Sequence, residues 1–155
     1  MEIYNILNEL NINYEELEHK AVYTIEEALK ENIPERINGT ECKNLFVKSK
    51  NGYYLIFLRC DKRADLKSIA TIAGTTKFYF ANEKELNEIL GLTAGAVSPL
   101  GIINDKNNVV TILIDKELEN KKVLVHPNIN TKTISIHIND LIKLIDYTNH
   151  KYIMF

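Results

Sequence analysis

The sequence feature that most constrains the fold is an Asn-Gly pair between two runs of strand-forming residues. Leu45-Phe46-Val47 precedes Asn51-Gly52, and Tyr53–Leu58 follows it. Both residues of such a pair tolerate the positive φ of a type I′ turn, so the pattern predicts a β-hairpin. The chain is therefore expected to contain at least one antiparallel pair of strands.

Helices are predicted on both sides of this hairpin, from the spacing of apolar residues or from capping patterns. The predicted helical segments are residues 2–10, Thr24 to about Glu31, Asp65–Ala73, the run after Asn82 and the run from about Asn139. In the second of these helices, Ile25, Ala28 and Leu29 are expected to face inward.

Further short runs of β-forming residues alternate with the helices. Extended segments or strands are predicted near residues 13–18, 77–80, 109–114, 123–125 and 133–138, with a loop marked by Pro34 and Gly39. Runs of strands broken by single helices indicate an α/β (α+β) fold, in which helices surround a mixed β-sheet.

The composition is that of a soluble globular protein, with 45% hydrophobic and 26% charged residues. At 155 residues the chain is expected to form one domain, residues 1–155. Met1–Asn5 lacks the features of a secretory signal, and no apolar run approaches the ~20 residues of a membrane span, so a cytoplasmic location without membrane contact is expected. Two cysteines and four scattered histidines suit neither a disulfide framework nor a zinc cluster, so no metal or cofactor is expected.

Charge is distributed unevenly along the chain. Residues 1–42 hold ten acidic and three basic residues, whereas residues 43–77 hold eight basic and two acidic residues. A basic middle segment is typical of a protein that contacts a polyanion, although solvated faces that cluster only in sequence give the same pattern. Because the net charge is −2, a nucleic-acid contact is expected to be local, such as a grip on one end of an RNA, and no DNA partner is expected.

A glycine-rich loop is the first candidate for a binding site. Gly91–Asp105 contains three glycines and Pro99 among small residues, between a predicted helix and a predicted strand. Glycine lets the backbone approach a ligand closely, and a loop of this kind presents N–H groups to a carbonyl or phosphate oxygen. An ordinary helix-to-strand connection has the same composition.

Two polar segments are the other candidates. Lys43 starts an apolar strand, where its ammonium group would bind a carbonyl, ester or phosphate oxygen in a cleft; an exposed lysine at a sheet edge fits the same pattern. His126 stands beside Pro127 at the end of a strand, where a histidine acts as acid, base or hydrogen-bond donor; a polar turn fits that pattern as well. Cys42 has no partner base in the sequence pattern, so a cysteine nucleophile is not expected.

Four segments, taken in order, resemble the YbaK/ProX superfamily of aminoacyl-tRNA editing domains. They are His19–Ala28, Lys43-Asn44-Leu45-Phe46, the Gly91–Asp105 loop and His126-Pro127-x-x-Asn130-Thr131. The sequence is most similar to the prolyl-tRNA editing group of that superfamily, in particular to its free-standing alanyl-tRNA(Pro) deacylases. The Lys-Asn-Leu-Phe form favours this group over the cysteine-specific branch, whereas Ala94-Gly95 departs from the Pro-Gly that is common in the loop.

The resemblance implies the fold of the YbaK and prolyl-tRNA-synthetase-associated domains. It implies a trans-editing hydrolase that removes alanine from mischarged proline tRNA by water attack on the aminoacyl ester. The implied partners are aminoacyl-tRNA and, as a second candidate, prolyl-tRNA synthetase. The implied catalytic residues are Lys43, Gly95, Ser98 and His126. The implied substrate-binding residues are Thr24, Asn44, Ala96, Val97, Pro99, Gly101, Asn130 and Thr131.

In this interpretation Lys43 binds an oxygen of the ester or of the terminal nucleotide, and backbone N–H groups from Gly95 to Ser98 hold the carbonyl or its developing oxyanion. His126 and Asn130 shape the pocket or orient the terminal adenosine. Two alternatives stay open. In the first, the enzyme acts on cysteinyl-tRNA(Pro) or another small aminoacyl-tRNA. In the second, the chain is a non-catalytic module that binds an RNA end or an amino-acid-like ligand.

Overall fold

The computed structural model describes residues 2–155, with every side chain except that of Ile25. Met1, and the inward position predicted for the Ile25 side chain, lie outside the described residues. The α-helices are α1 (Glu2–Glu9), α2 (Ile25–Lys30), α3 (Ile33–Arg36), α4 (Leu66–Ile72), α5 (Glu83–Leu90) and α6 (Ile138–Tyr147). The strands are β1 (Glu15–Glu18), β2 (Cys42–Ser49), β3 (Gly52–Arg59), β4 (Tyr79–Phe80), β5 (Val110–Ile114), β6 (Lys122–Val125), β7 (Lys132–His137) and β8 (Lys151–Met154). Three 3-10 helices span Ala94–Ala96, Pro99–Asn104 and Lys116–Leu118.

The predicted hairpin is confirmed as β2 and β3, which pair antiparallel. Its turn differs from the prediction, because Ser49 pairs with Gly52 and the two turn residues are therefore Lys50 and Asn51. Among the described residues of the turn only Gly52 has a positive φ, at 132°, so the type I′ assignment was wrong. The turn therefore lies one residue earlier in the chain than the Asn-Gly pattern implies.

The strands form two sheets. The larger has the order β4-β2-β3-β5-β8 and is mixed, since β3, β5 and β8 run parallel while β2 runs antiparallel to β3. The smaller is antiparallel and has the order β1-β7-β6. A parallel bridge between Thr40 and Val123 joins the segment before β2 to β6. The mixed α/β class is confirmed, with two sheets flanked by helices.

The hydrophobic core lies on both faces of β3, the central strand of the larger sheet. Residues 54–58 are buried on both faces, as the unbroken apolar run of a central strand requires. On one side Phe57 packs in the main core with Ile3 and Leu7 of α1. On the other, Ile56 and Leu58 pack against Ile69 of α4 and its neighbours. A third cluster places Val22, Ile33 and Ile37 against Leu124 of β6.

Several predicted helix ends are confirmed by their hydrogen bonds. Asn82 and Glu85 form a complete capping box on α5, and the Asp65 side chain accepts from the Ser68 N–H at the start of α4. The Thr24 side chain accepts from the Glu27 N–H at 3.1 Å. These caps satisfy N–H groups that have no acceptor within their own helix.

Two predictions in the second helical region were wrong. The loop expected at Pro34 is the short helix α3, which tolerates a proline in its first turn because no backbone hydrogen bond is lost there. Leu29 was expected to face inward but is 54% exposed, since the six-residue α2 covers the small sheet with Ala28.

Candidate active site

A cleft of about 230 Å³ opens where the two sheets meet. The start of β2 and the end of β6 meet there, because the Thr40 N–H donates to Lys122 and the Leu124 N–H donates to Thr40, at 2.9 and 3.0 Å. The segment before α2 and the first 3-10 helix supply the other walls. The lining residues are Val22, Tyr23, Thr24, Ala28, Ile33, Glu41, Cys42, Lys43, Asn44, Cys60, Ala94, Gly95, Val97, Leu124, Val125, His126 and Thr133.

Lys43 supplies the ammonium group of this cleft. It pairs with Leu58 in the β2–β3 ladder, so its backbone is fixed by a regular pair of strands. Its side chain is half-buried and makes no ion pair or hydrogen bond with the rest of residues 2–155. A cation that is not neutralised within its own protein is available to an oxygen of a ligand.

The glycine loop faces β2 through Asn44. The Asn44 amide group donates to the carbonyl oxygen of Val97 at 3.3 Å. Within the loop, the Ala96 N–H donates to the Thr93 carbonyl, whereas the N–H groups of Gly95 and Ser98 have no acceptor among the described residues. Gly95 also lines the cleft, so this wall presents a free backbone donor at a position that a ligand can approach closely.

His126 is held in one tautomer at the end of β6. Its Nδ1–H donates to the carbonyl oxygen of Lys132 at 2.9 Å, which leaves Nε2 as an acceptor. Burial is the main cause that lowers the pKa of His126 below 6.5; the Lys132 carbonyl opposes this and nearby His19 adds to it. Neutral His126 therefore offers a lone pair to a ligand or a water molecule near pH 7.

A second histidine supports this wall. The His19 Nδ1–H donates to the carbonyl oxygen of Lys20 at 2.7 Å, and its Nε2 accepts from the Thr133 hydroxyl at 2.8 Å. The rings of His19 and His126 lie 6.2 Å apart. Thr133 is thereby fixed between the histidine and the cleft.

The ring of Tyr23 packs directly against Gly95. A Cβ atom on Gly95 would lie 2.5 Å from Cδ1 of the tyrosine ring and 3.1 Å from the amide nitrogen of Asn130. The Tyr23 side chain is 67% exposed although it lines the cleft, so the ring stands at the cleft mouth. Glycine thus allows the aromatic ring to lie directly on the loop.

The structure brings together six of the twelve residues proposed for the site. Those on the cleft wall are Lys43, Gly95, His126, Thr24, Asn44 and Val97. The Thr24 hydroxyl is engaged in the cap of α2, as described above. These residues come from four separate segments, which the fold places around one cavity.

The other six residues lie away from the wall. The Ser98 side chain is fully buried and accepts from the Leu100 N–H, and Ala96, Pro99 and Gly101 are buried with it. Asn130 and Thr131 instead form hydrogen bonds with residues 19–22, the segment that precedes Tyr23. Asn130 exchanges hydrogen bonds with Val22, and the Thr131 carbonyl accepts from the His19 N–H at 3.0 Å.

Eleven of the lining residues were not predicted for the site: Val22, Tyr23, Ala28, Ile33, Glu41, Cys42, Cys60, Ala94, Leu124, Val125 and Thr133. Thr133 opens the strand that was predicted at residues 133–138, but alternation alone does not say which face of a strand lines a cleft, so it did not single out Thr133. Cys42 also lines the cleft, where burial is the main cause that raises the pKa of its thiol. A thiol held in its protonated form is a poor nucleophile, in keeping with the prediction for Cys42.

Three of the eight basic residues of the middle segment form ion pairs with acids. Lys48 pairs with Glu85, Arg59 with Asp61 and Lys62 with buried Asp115, each at 2.9 Å. The remaining positive charge of this segment is therefore smaller than its sequence implies.

Neither a metal site nor a membrane span is found in the described part of the chain. Across residues 2–155, no three His, Cys, Asp or Glu side chains are arranged to hold a metal ion. None of the helices described above has both the length and the apolar character to cross a membrane.

Comparison with known proteins identifies the family. The family model described as the aminoacyl-tRNA editing domain matches residues 19–144. The chain is 42% identical to the prolyl-tRNA editing protein ProX of Acetoanaerobium sticklandii, over 90% of this chain and 85% of that protein. It is 31% identical to prolyl-tRNA synthetase associated domain-containing protein 1 of Danio rerio, over 96% of this chain and 82% of that protein.

The fold is also found among solved structures. A crystal structure described as a proposed trans-editing enzyme for prolyl-tRNA synthetase aligns with a TM-score of 0.73 and 20% identity, over 98% of this chain and 92% of that chain. The cleft built by β2, β6 and the glycine loop thus lies within residues that the family model covers. The chain belongs to the aminoacyl-tRNA editing domain family.

Proposed function

We propose that this protein hydrolyses alanyl-tRNA(Pro) and releases alanine and uncharged tRNA. As a member of the editing-domain family the chain is an aminoacyl-tRNA deacylase. Its identity of 42% to a prolyl-tRNA editing protein supports tRNA(Pro) as the nucleic-acid part of the substrate. The observation that carries the proposal is the unpaired Lys43 ammonium in a cleft that is also lined by Gly95, whose N–H group has no acceptor among the described residues.

The proposed reaction needs no covalent intermediate with the protein. The oxygen of a water molecule bonds to the ester carbonyl carbon, the ester C–O bond breaks, and the ribose oxygen takes up a proton. Lys43 and the backbone N–H group of Gly95 stabilise the negative charge that develops on the oxygens. His126 orients the water molecule or the terminal adenosine through its free Nε2. Because an aminoacyl ester is already activated, positioning and polarisation suffice.

The size and lining of the cleft support a small amino acid. Its volume of about 230 Å³ is below the ~300–1,000 Å³ of common small-molecule sites. Val22, Ala28 and Leu124 supply an apolar patch that suits a methyl group. A synthetase pocket rejects a smaller side chain poorly, because one methylene is worth only ~1–3 kcal/mol, and a second site that excludes proline by size restores the discrimination.

The partner in this proposal is the acceptor end of tRNA(Pro). Relatives that are named for association with prolyl-tRNA synthetase support that enzyme as a second partner. Adding prolyl-tRNA synthetase to the deacylation reaction tests this part, and we expect it to change the rate of deacylation without changing the order of preferred amino acids.

The substrate is tested by comparing amino-acid release from alanyl-, cysteinyl-, seryl- and prolyl-tRNA(Pro), each relative to its rate in buffer alone. We expect alanine to be released fastest and proline to be spared. Faster release of cysteine or serine than of alanine would show that alanine is not the preferred amino acid, although the protein would still be a deacylase. Slower loss of the ester than in buffer would instead indicate a binding module that protects it.

A further inference from the structure

Glu41 is the one carboxylate among the residues that line the described part of the cleft. It lies directly before β2, two residues from Lys43, and its backbone carbonyl accepts from the Cys60 N–H at 3.0 Å. This bond continues the β2–β3 ladder, so the Glu41 backbone is fixed like that of Lys43. The Glu41 residue is half-buried.

The Glu41 carboxylate has no partner of opposite charge. It forms no ion pair and its side chain accepts no hydrogen bond from any group that the structure describes. Burial and the neighbouring carboxylate of Glu35 both raise its pKa. A half-buried charge without a partner is costly, and a cationic group of a ligand would offset this cost.

Glu41 and Lys43 place opposite charges along one side of the cleft. Side chains two residues apart on an extended segment point to the same face, about 7 Å apart along the backbone. Both charges act on Cys60: Glu41 raises the pKa of that thiol and Lys43 lowers it. The negative and the positive group therefore lie near the same point of the cleft.

An aminoacyl ester presents the matching pattern of charge. Its α-ammonium group lies one carbon from the carbonyl group that is attacked, and esters of N-acylated amino acids or of hydroxy acids lack this cation. We propose that Glu41 binds the α-ammonium group of the aminoacyl ester and thereby selects free aminoacyl-tRNA over esters without that charge. This inference rests on the proposed deacylase function and names the group of the substrate that Glu41 binds.

The test compares two esters of the same tRNA(Pro), alanyl and L-lactyl, in which a hydroxyl group replaces the ammonium group. Each kcat/KM is divided by the uncatalysed rate for the same ester, because the ammonium group itself activates the ester. We expect the wild type to favour the alanyl ester by about tenfold or more, as a charge-assisted hydrogen bond provides. Glu41→Gln, which keeps the side-chain shape, is expected to remove most of this preference by lowering the alanyl rate far more than the lactyl rate.

Glu35→Gln is the matched control, because Glu35 is exposed and lies outside the cleft wall. It is expected to keep the preference for the alanyl ester. An equal loss on both esters in Glu41→Gln, or a wild type without preference, would overturn the inference and leave the deacylase function in place. Failure of the wild type to cleave either ester would instead overturn the proposed function, and the inference with it.

Discussion

The Asn44 amide group donates to the carbonyl oxygen of Val97 at 3.3 Å and so ties β2 to the glycine loop. Asn44 is the neighbour of Lys43 in the chain. This hydrogen bond therefore holds the backbone of Lys43 at a fixed distance from the backbone of the loop. The second polar atom of the amide, Oδ1, is buried and lacks a hydrogen-bond partner within residues 2–155. Buried acceptors are usually paired, so an unpaired Oδ1 lowers the stability of the fold at this position.

Asn44→Ala removes this link and is expected to lower kcat/KM for deacylation by about 10- to 100-fold, because a displacement of ~1 Å has an effect of that size on catalysis. Asn5→Ala, at an exposed position of α1, is the control and is expected to keep the wild-type rate. Steady-state kinetics on alanyl-tRNA(Pro) measure both. An unchanged kcat/KM in Asn44→Ala would show that the link does not position the site.

Two glycines of the loop are expected to respond differently to alanine. At Gly95 the new methyl group meets the ring of Tyr23, which is exposed and able to move, so Gly95→Ala is expected to alter the cleft and lower activity with little change in the free energy of unfolding. At Gly101 it comes within 2.6 Å of the buried Leu92 side chain, so Gly101→Ala is expected to reduce that free energy by about 1–3 kcal/mol.

Urea denaturation and deacylation assays on the two variants check this contrast. Full activity in Gly95→Ala would show that the contact between Tyr23 and the loop has no role in the site. Wild-type stability in Gly101→Ala would show that the core around Leu92 has room for a methyl group.

His126 is expected to titrate below pH 6.5, because burial disfavours its charged form. The unfolded chain then binds this proton more readily than the folded chain, so stability falls as the pH drops from 6.5 towards the folded pKa. NMR titration of the ring measures the pKa directly. His19→Gln is expected to raise it, because the electrostatic effect of His19 lowers the pKa of His126. A pKa above 6.5 in the wild type would contradict the buried environment of His126.

Glu85 is expected to make stability depend on pH in the acid range. Hydrogen bonds from Tyr53, from the Asn82 N–H and from Lys48 lower the pKa of Glu85 from 4.5 to about 2. Its contribution is therefore fully present above pH 4.5, declines below it and is lost as the pH falls through about 2.

Denaturant unfolding between pH 6 and pH 2 checks this contribution of Glu85. The loss of stability on acidification is expected to be smaller in Glu85→Gln than in the wild type. The control Glu119→Gln, at an exposed position, is expected to follow the wild type. Identical pH profiles for the wild type and Glu85→Gln would contradict the depressed pKa.

Local patterns predicted the local parts of the fold. The hairpin, the capping box at Asn82 and the cap at Asp65 depend on residues within a few positions of one another, and all three are present. The strand β8 was missed, because its pairing partner β5 lies about 40 residues earlier and its own sequence has no strong alternation. The division into two sheets was missed for the same reason, since it depends on contacts between distant segments.

The candidate site shows the same division between local and distant information. Lys43 and His126 stand in recognisable segments, and the fold places both on one cleft. Ser98 and Pro99 stand in an equally recognisable segment, yet both are buried at the start of a 3-10 helix, because sequence alone does not give the direction of each side chain in an irregular loop. Glu41 stands in no recognisable pattern, and only the cleft reveals its position.

Single-turnover deacylation of alanyl-tRNA(Pro) by the wild type, Lys43→Ala and Lys50→Ala tests the central claim most directly. Lys50 is exposed at the hairpin turn and serves as the matched control. We predict rapid release of alanine by the wild type and by Lys50→Ala, and a rate at least 100-fold lower in Lys43→Ala, as loss of a charge that stabilises the transition state implies. Full activity in Lys43→Ala, or no release by the wild type beyond the rate in buffer, would contradict the account.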